Sequence, residues 1–202
     1  LGAQGLTEGL KFNDDGSFSA DGVKASVVHY APDWKGAAQN APKAFQVTSM
    51  ERAENNAGFS LKGNLVTTLG PVFAMEETVS IDSASGVSYS AAVFNDAGID
   101  SAAMTLNFYI PVNGYAGKYL TFDEKTFVLP AVQDKAGLYH SNSVKKLVIP
   151  LENRRLVLEG NFNVNLQDNR QWGGAYCLRV HFTPSSGKIK EARLNIRMRA
   201  RS

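Results

Sequence analysis

Strict two-residue alternation of apolar and polar side chains limits this chain more than any other feature. Tyr176, Leu178, Val180 and Phe182 alternate with Cys177, Arg179, His181 and Thr183. Ala192, Leu194, Ile196 and Met198 alternate with Arg193, Asn195, Arg197 and Arg199. Leu156, Leu158, Phe162, Val164 and Leu166 interleave with Val157, Glu159, Asn161, Asn163 and Asn165. Successive side chains of a strand point to opposite sheet faces, so these segments read as half-buried strands. Shorter versions run through Ala25–His29, Phe73–Ile81, Val87–Val93 and Leu106–Ile110.

Turn formers separate the runs: 13–16, Asp21-Gly22, 83–86, 95–98, Asn113-Gly114 and 184–187. Each supplies a positive φ or a side chain that closes a turn. Pro184 to Lys188, between two alternating runs, predicts a hairpin. Helical periodicity is poor. Thr48 to Asn56 is its best stretch and reads as a loop, a strand edge or one turn of helix. About a dozen short strands with turns between them predict an all-β fold, a single antiparallel β-sandwich, jelly-roll-like or related, with little helix. No linker or internal repeat divides residues 1–202, so one domain is expected. The start at Leu1 suggests excision or processing from a longer protein.

The 202 residues carry a formal charge of +2, which excludes a chain that coats nucleic acid by charge alone. No apolar run approaches the roughly 18 residues of a membrane-spanning helix. The lone cysteine, Cys177, excludes an internal disulfide and a cysteine-based zinc site. Charge is uneven: the segment from Leu151 onward has a balance of +6 and the first 150 residues −4. Arg193, Arg197, Arg199 and Arg201 read as a solvated strand face, as an anion site for sulfated or uronate sugars, or as the seam to a neighbouring domain.

Catalytic patterns are scarce. Phosphate-loop, dinucleotide, His-Glu-x-x-His and Gly-x-Ser-x-Gly signatures are absent. His29, His140 and His181 are far apart in sequence, and no metal or cofactor is expected. Glu76-Glu77, adjacent in a strand, would point to opposite faces and so could not act as a glycosidase pair. The densest signal is Asn161 to Arg179. Asn161, Asn163, Asn165 and Gln167 line one face of a strand, although Asn is normally depleted there. Arg179 and His181 would share that face from the next strand, and Trp172 would sit in the loop at its end. Amides and guanidinium groups bond paired sugar hydroxyls, and an indole stacks on a sugar's apolar side. The plainer alternative is a wet sheet face whose loop is pinned by Asp168, with Trp172 capping the core.

This layout resembles the non-catalytic β-sandwich domains attached to bacterial polysaccharide-degrading enzymes. The resemblance rests on 166–170, Trp172-Gly173 and 178–180, with a second patch at 109–111, 117–123 and 128–130. It implies an accessory domain, secreted, periplasmic or at the cell surface, that holds glycan or packs against a catalytic domain; no site residues carry over from it. On the residues' own chemistry the expected ligand is a polysaccharide or oligosaccharide, bound by Asn161, Asn163, Asn165, Gln167, Arg179, His181 and Trp172 without catalysis. Two alternatives remain: a structural domain that buttresses an enzyme, and a β-sandwich lyase using Tyr139-His140 or Tyr115 and Tyr119.

Overall fold

A computed structural model describes residues 10–82, 86–133 and 139–201. The turn expected at 83–86 lies mostly outside the described residues. Among the described residues fifteen strands follow one another: β1 (Lys11–Phe12), β2 (Phe18–Ala20), β3 (Val23–Tyr30), β4 (Gly36–Ala38), β5 (Phe45–Arg52), β6 (Gly58–Val66), β7 (Val72–Asp82), β8 (Gly86–Ser101), β9 (Ala103–Pro111), β10 (Tyr119–Phe122), β11 (Lys125–Val128), β12 (Tyr139–Pro150), β13 (Arg155–Asp168), β14 (Ala175–His181) and β15 (Gly187–Arg201). The segment Thr48–Asn56, weakly helical in sequence, divides between β5 and a single 3-10 turn at Glu54–Asn56. Among the described residues no helix is long and apolar enough to cross a membrane.

The all-β, antiparallel class is as expected. Its ladder, however, is continuous: β1-β2-β3-β9-β14-β13-β15-β8-β7-β6-β5, with β12, β10 and β11 branching from β13. One curled sheet forms a half-barrel where the sequence suggested two facing sheets. The curl brings β1, β2, β3 and β9 against β6, β7 and β8. Phe12 meets Phe59 at 5.4 Å, Phe18 meets Tyr89 at 5.7 Å, and His29 meets Phe73 at 5.3 Å between ring centroids. Alternation explains the core: Phe73, Met75 and Val79 of β7, and Leu106, Phe108 and Ile110 of β9, all point inward and are buried.

β13 organises the branch point. One edge bonds β12 along its length. On the other edge, Arg155–Glu159 pair with β15 and Val164–Asp168 pair with β14. Between them Gly160 passes the Asn195 carbonyl so closely that a Cβ there would lie 3.0 Å from that oxygen. The predicted hairpin at Pro184–Lys188 is corrected accordingly. β14 and β15 lie end to end along β13 and are joined only by the Thr183–Arg193 bridge. The turn predicted at 95–98 is a bulge inside β8. The Asn95 carboxamide oxygen accepts the N–H groups of Ala97 and Gly98, and Gly98 takes φ +83°. The strand then resumes, Ile99 pairing with Ile189.

Candidate functional site

The outward face of β13, β14, β9 and β3 carries most of the residues singled out in sequence. Register places Asn165 beside Arg179, Arg179 beside Asn107 and Asn107 beside Ser26. The next row runs Gln167, Cys177, Tyr109 and Lys24. His181 stands beside Thr105. Because the side-chain period is two, these groups share one face. Asn163 shares it by alternation, and its carboxamide oxygen accepts the Ser143 N–H at 3.0 Å. Asn161 is exposed but sits apart, in the irregular stretch where β13 leaves β15.

The face is a knitted layer rather than a row of free amides. His181 Nε2 lies 2.6 Å from Asn165 Oδ1, and its Nδ1 2.5 Å from Ser185 Oγ. Burial, then the nearby Arg179 and His140, lower the His181 pKa to about 4. The ring is therefore neutral at pH 7; Nε2–H donates to Asn165 and Nδ1 accepts from Ser185. Arg179 donates from Nη1 to Gln167 Oε1 at 3.0 Å and from Nε to the Tyr30 hydroxyl at 3.2 Å. Its guanidinium lies 5.1 Å from the Tyr30 ring centre. Asn107 donates to the hydroxyls of both Tyr30 and Tyr109 and accepts from Thr105. Each side chain is held by its neighbours, so the surface is pre-ordered.

Trp172 is 69% exposed in the β13–β14 loop and does not cap the core. That loop is pinned as the plainer alternative proposed: Arg170 pairs with Asp168 at 2.6 Å and donates to the carbonyls of Pro130 and Ala131. Among the described residues no hydrogen bond ties Trp172 to the amide row. Trp34, in the β3–β4 turn, is the indole that belongs to the face. It is 62% exposed, and its ring lies 5.8 Å from Tyr30, the partner of Arg179. Trp34 also holds φ +65°, a conformation unfavourable for a bulky residue. Its N–H donates to the Ala31 carbonyl at 2.7 Å, closing the turn that presents the ring. The sequence signal for it was Tyr30-Ala31-Pro32-Asp33-Trp34, an aromatic pair bracketing a turn.

Of the other candidates, His140 borders the face, paired in register with Asn165, and the rest disperse. His29 is in the core, its Nε2 2.8 Å from Ser101 Oγ, away from His140 and His181. Among the described residues no three His, Cys, Asp or Glu groups gather as a metal site would need. Tyr139 stacks on Phe122 at 4.5 Å while its neighbour His140 is exposed, and the buried Tyr115 hydroxyl donates to the Asp21 carbonyl. Glu77 is buried and Glu76 exposed, on opposite faces as expected. A groove of about 730 Å³ opens elsewhere, beside Tyr119, Lys146 and Arg155. Part of its lining is already committed to closing loops: Lys118 donates to the carbonyls of Leu151 and Glu152, and Arg154 pairs with Asp21.

Cys177 lies on the polar face but is fully covered, and burial pushes its thiol up to about 11. A thiolate is the reactive form. Native protein at pH 8 is therefore expected to leave an aromatic disulfide reagent unreacted, with one equivalent of thiol released in denaturant. Rapid native labelling would show that the layer opens.

Fold and face together describe an all-β chain with a pre-ordered polar surface bordered by an exposed indole. No protein-family model and no curated protein matches the chain.

Proposed function

We propose that this chain is a non-catalytic glycan-binding domain, an accessory module of an exported bacterial polysaccharide-degrading system. The observation that carries the reading is Trp34: an exposed indole held in a strained turn beside Tyr30, whose hydroxyl ties it to the Arg179–Gln167 pair. Strain at an exposed aromatic has no packing return, and it is commonly kept where a side chain must be presented to a ligand. A sugar ring stacked on Trp34 would place its hydroxyls over Tyr30 and Arg179, with Asn165, Gln167 and His181 completing the polar layer beneath. The all-β, antiparallel architecture agrees with the accessory-domain reading. Asn161 and Trp172 lie outside this minimal site.

Titration calorimetry or affinity electrophoresis against plant, algal and host polysaccharides tests the proposal. Trp34→Ala is expected to weaken binding at least about tenfold, the scale of one lost aromatic contact. Its melting temperature should stay close to that of the parent because the ring is mostly in solvent. Absence of binding to every polysaccharide, or full affinity in the variant, rejects the reading.

A further inference from the structure

We infer that the glycan held by this face is acidic, and that its carboxylate or sulfate group is the counter-ion of Arg179. The inference rests on the glycan-binding reading above and names the ligand's chemical class.

Arg179 is the only arginine among the described residues that is buried, with 9% exposure. Five other arginines pair with carboxylates although each is more exposed: Arg52 with Asp14, Arg154 with Asp21, Arg170 with Asp168, Arg193 with Glu191 and Arg199 with Glu159. Arg179 pairs with no carboxylate among the described residues. Its two protein acceptors, Gln167 Oε1 and the Tyr30 hydroxyl, are neutral and use two of the five guanidinium N–H donors. The remaining donors have no acceptor among the described residues.

Nothing on the surrounding strands supplies the missing negative charge. β13 contributes Asn165 and Gln167, β9 contributes Asn107 and Tyr109, and β3 contributes Tyr30. On β14 itself Cys177 and His181 flank the arginine, the thiol protonated and the imidazole neutral at pH 7. Burial drives the Tyr109 phenol upward, so it too stays uncharged. Asp168, the nearest acid along β13, is committed to Arg170. A cation withdrawn from water without an opposite charge is costly, and that cost is recovered when a partner brings the charge.

The neighbouring geometry specifies the partner further. Trp34, Tyr30 and Arg179 follow one another across the face, at 5.8 Å between the two rings and 5.1 Å from the Tyr30 ring to the guanidinium carbon. An indole platform leading to a fixed guanidinium suits a sugar with an apolar ring face and an anionic substituent. The planar fork of arginine donates to two oxygens of one carboxylate or sulfate side by side.

The test compares ligands that differ only in charge. The probes are an oligogalacturonate and its full methyl ester, and a sulfated galacto-oligosaccharide and its desulfated form. The protein is expected to bind at least one charged member about tenfold or more above its neutral counterpart, the advantage of a charge-assisted bond over a neutral one. The preference should shrink in high salt, by screening. In Arg179→Gln the preference itself, read as the charged-to-neutral ratio, should vanish, and Arg179→Lys should restore part of it. Trp34→Ala should weaken both members of the pair alike. If Arg179→Gln fails to fold, the charged-to-neutral ratio of the parent protein and its salt dependence still decide. Equal affinity for both members, with Trp34-dependent binding intact, overturns the acidic specificity alone. No binding to any probe or polysaccharide overturns it together with the glycan reading. A charge preference that survives in Arg179→Gln moves the anion site elsewhere and overturns the assignment.

Discussion

Relative to Glu77→Gln, the wild-type protein is expected to lose stability progressively as pH rises from about 4.5 to about 8. Glu77 falls at an inward position of β7, in line with Phe73, Met75 and Val79, and is 1% exposed. Its Oε2 accepts from the Tyr89 hydroxyl at 2.6 Å and from Gln39 Nε2 at 3.1 Å, while Oε1 is buried without a partner among the described residues. No lysine or arginine among the described residues forms an ion pair with it. Burial raises its pKa from 4.5 to about 8, against the opposing pull of the Tyr89 and Gln39 hydrogen bonds and with a small push from Asp15. Between those two pH values the unfolded chain releases this proton and the folded chain keeps it. The group's contribution is therefore most favourable below about 4.5 and declines until the folded carboxyl itself ionises. A shift of this size corresponds to a ceiling of about 5 kcal/mol of stability lost by pH 9. The carboxamide introduced by Glu77→Gln would keep the shape and the acceptor for Tyr89 but carry no charge. Denaturant unfolding of both proteins from pH 5 to pH 10 checks this. The curves should lie close together at pH 5 and diverge by several kcal/mol at pH 9. Parallel curves would mean that Glu77 is ionised throughout.

Glu77 also illustrates what the sequence made legible. Its position was readable from parity, since it shares odd numbering with Phe73, Met75, Val79 and Ile81. Alternation decides which face a residue joins, and it correctly placed Asn163, Asn165, Gln167, Arg179 and His181 together. It says nothing about which strand lies alongside, because a ladder is indifferent to sequence distance. That is why the succession of β14 and β15 along the edge of β13 was hidden behind an apparent hairpin at Pro184–Lys188. The turn chemistry at 95–98 was read correctly and its consequence was not. Asn95 and Gly98 do bend the backbone, but the partner strand β15 bridges the interruption and keeps β8 running for 16 residues. The choice between Trp34 and Trp172 needed three dimensions, since only the folded β3–β9–β14 order brings Tyr30 to Arg179. Neutral partners of Arg179, and hence its missing counter-ion, were equally a property of neighbouring strands rather than of any local motif.

Phe18→Ala is expected to be the most damaging single truncation outside the glycan face. β2 has three residues, so few ladder bonds secure it, and Phe18 supplies its grip on the core. The ring is 2% exposed and touches Phe12 at 4.9 Å, Phe108 at 5.9 Å and, across the curl, Tyr89 at 5.7 Å. It thus joins β1, β2 and β9 to β8, one of the contacts through which the sheet closes on itself. Removing a buried phenylalanine costs roughly 3–5 kcal/mol, the transfer energy of the ring plus the cavity left behind. For a chain of this length that is a fall in melting temperature on the order of 10 °C. Because Phe18 lies on the core side, the fraction still folded at low temperature should retain whatever glycan affinity the parent has. Trp34→Ala should give the reverse pattern, with affinity lost and the melting temperature nearly unchanged. Thermal melts and binding titrations of the two variants, run side by side, separate the face that closes the fold from the face that meets the ligand. A Phe18→Ala protein less than about 1 kcal/mol weaker than its parent would mean that the arms do not pack through this ring.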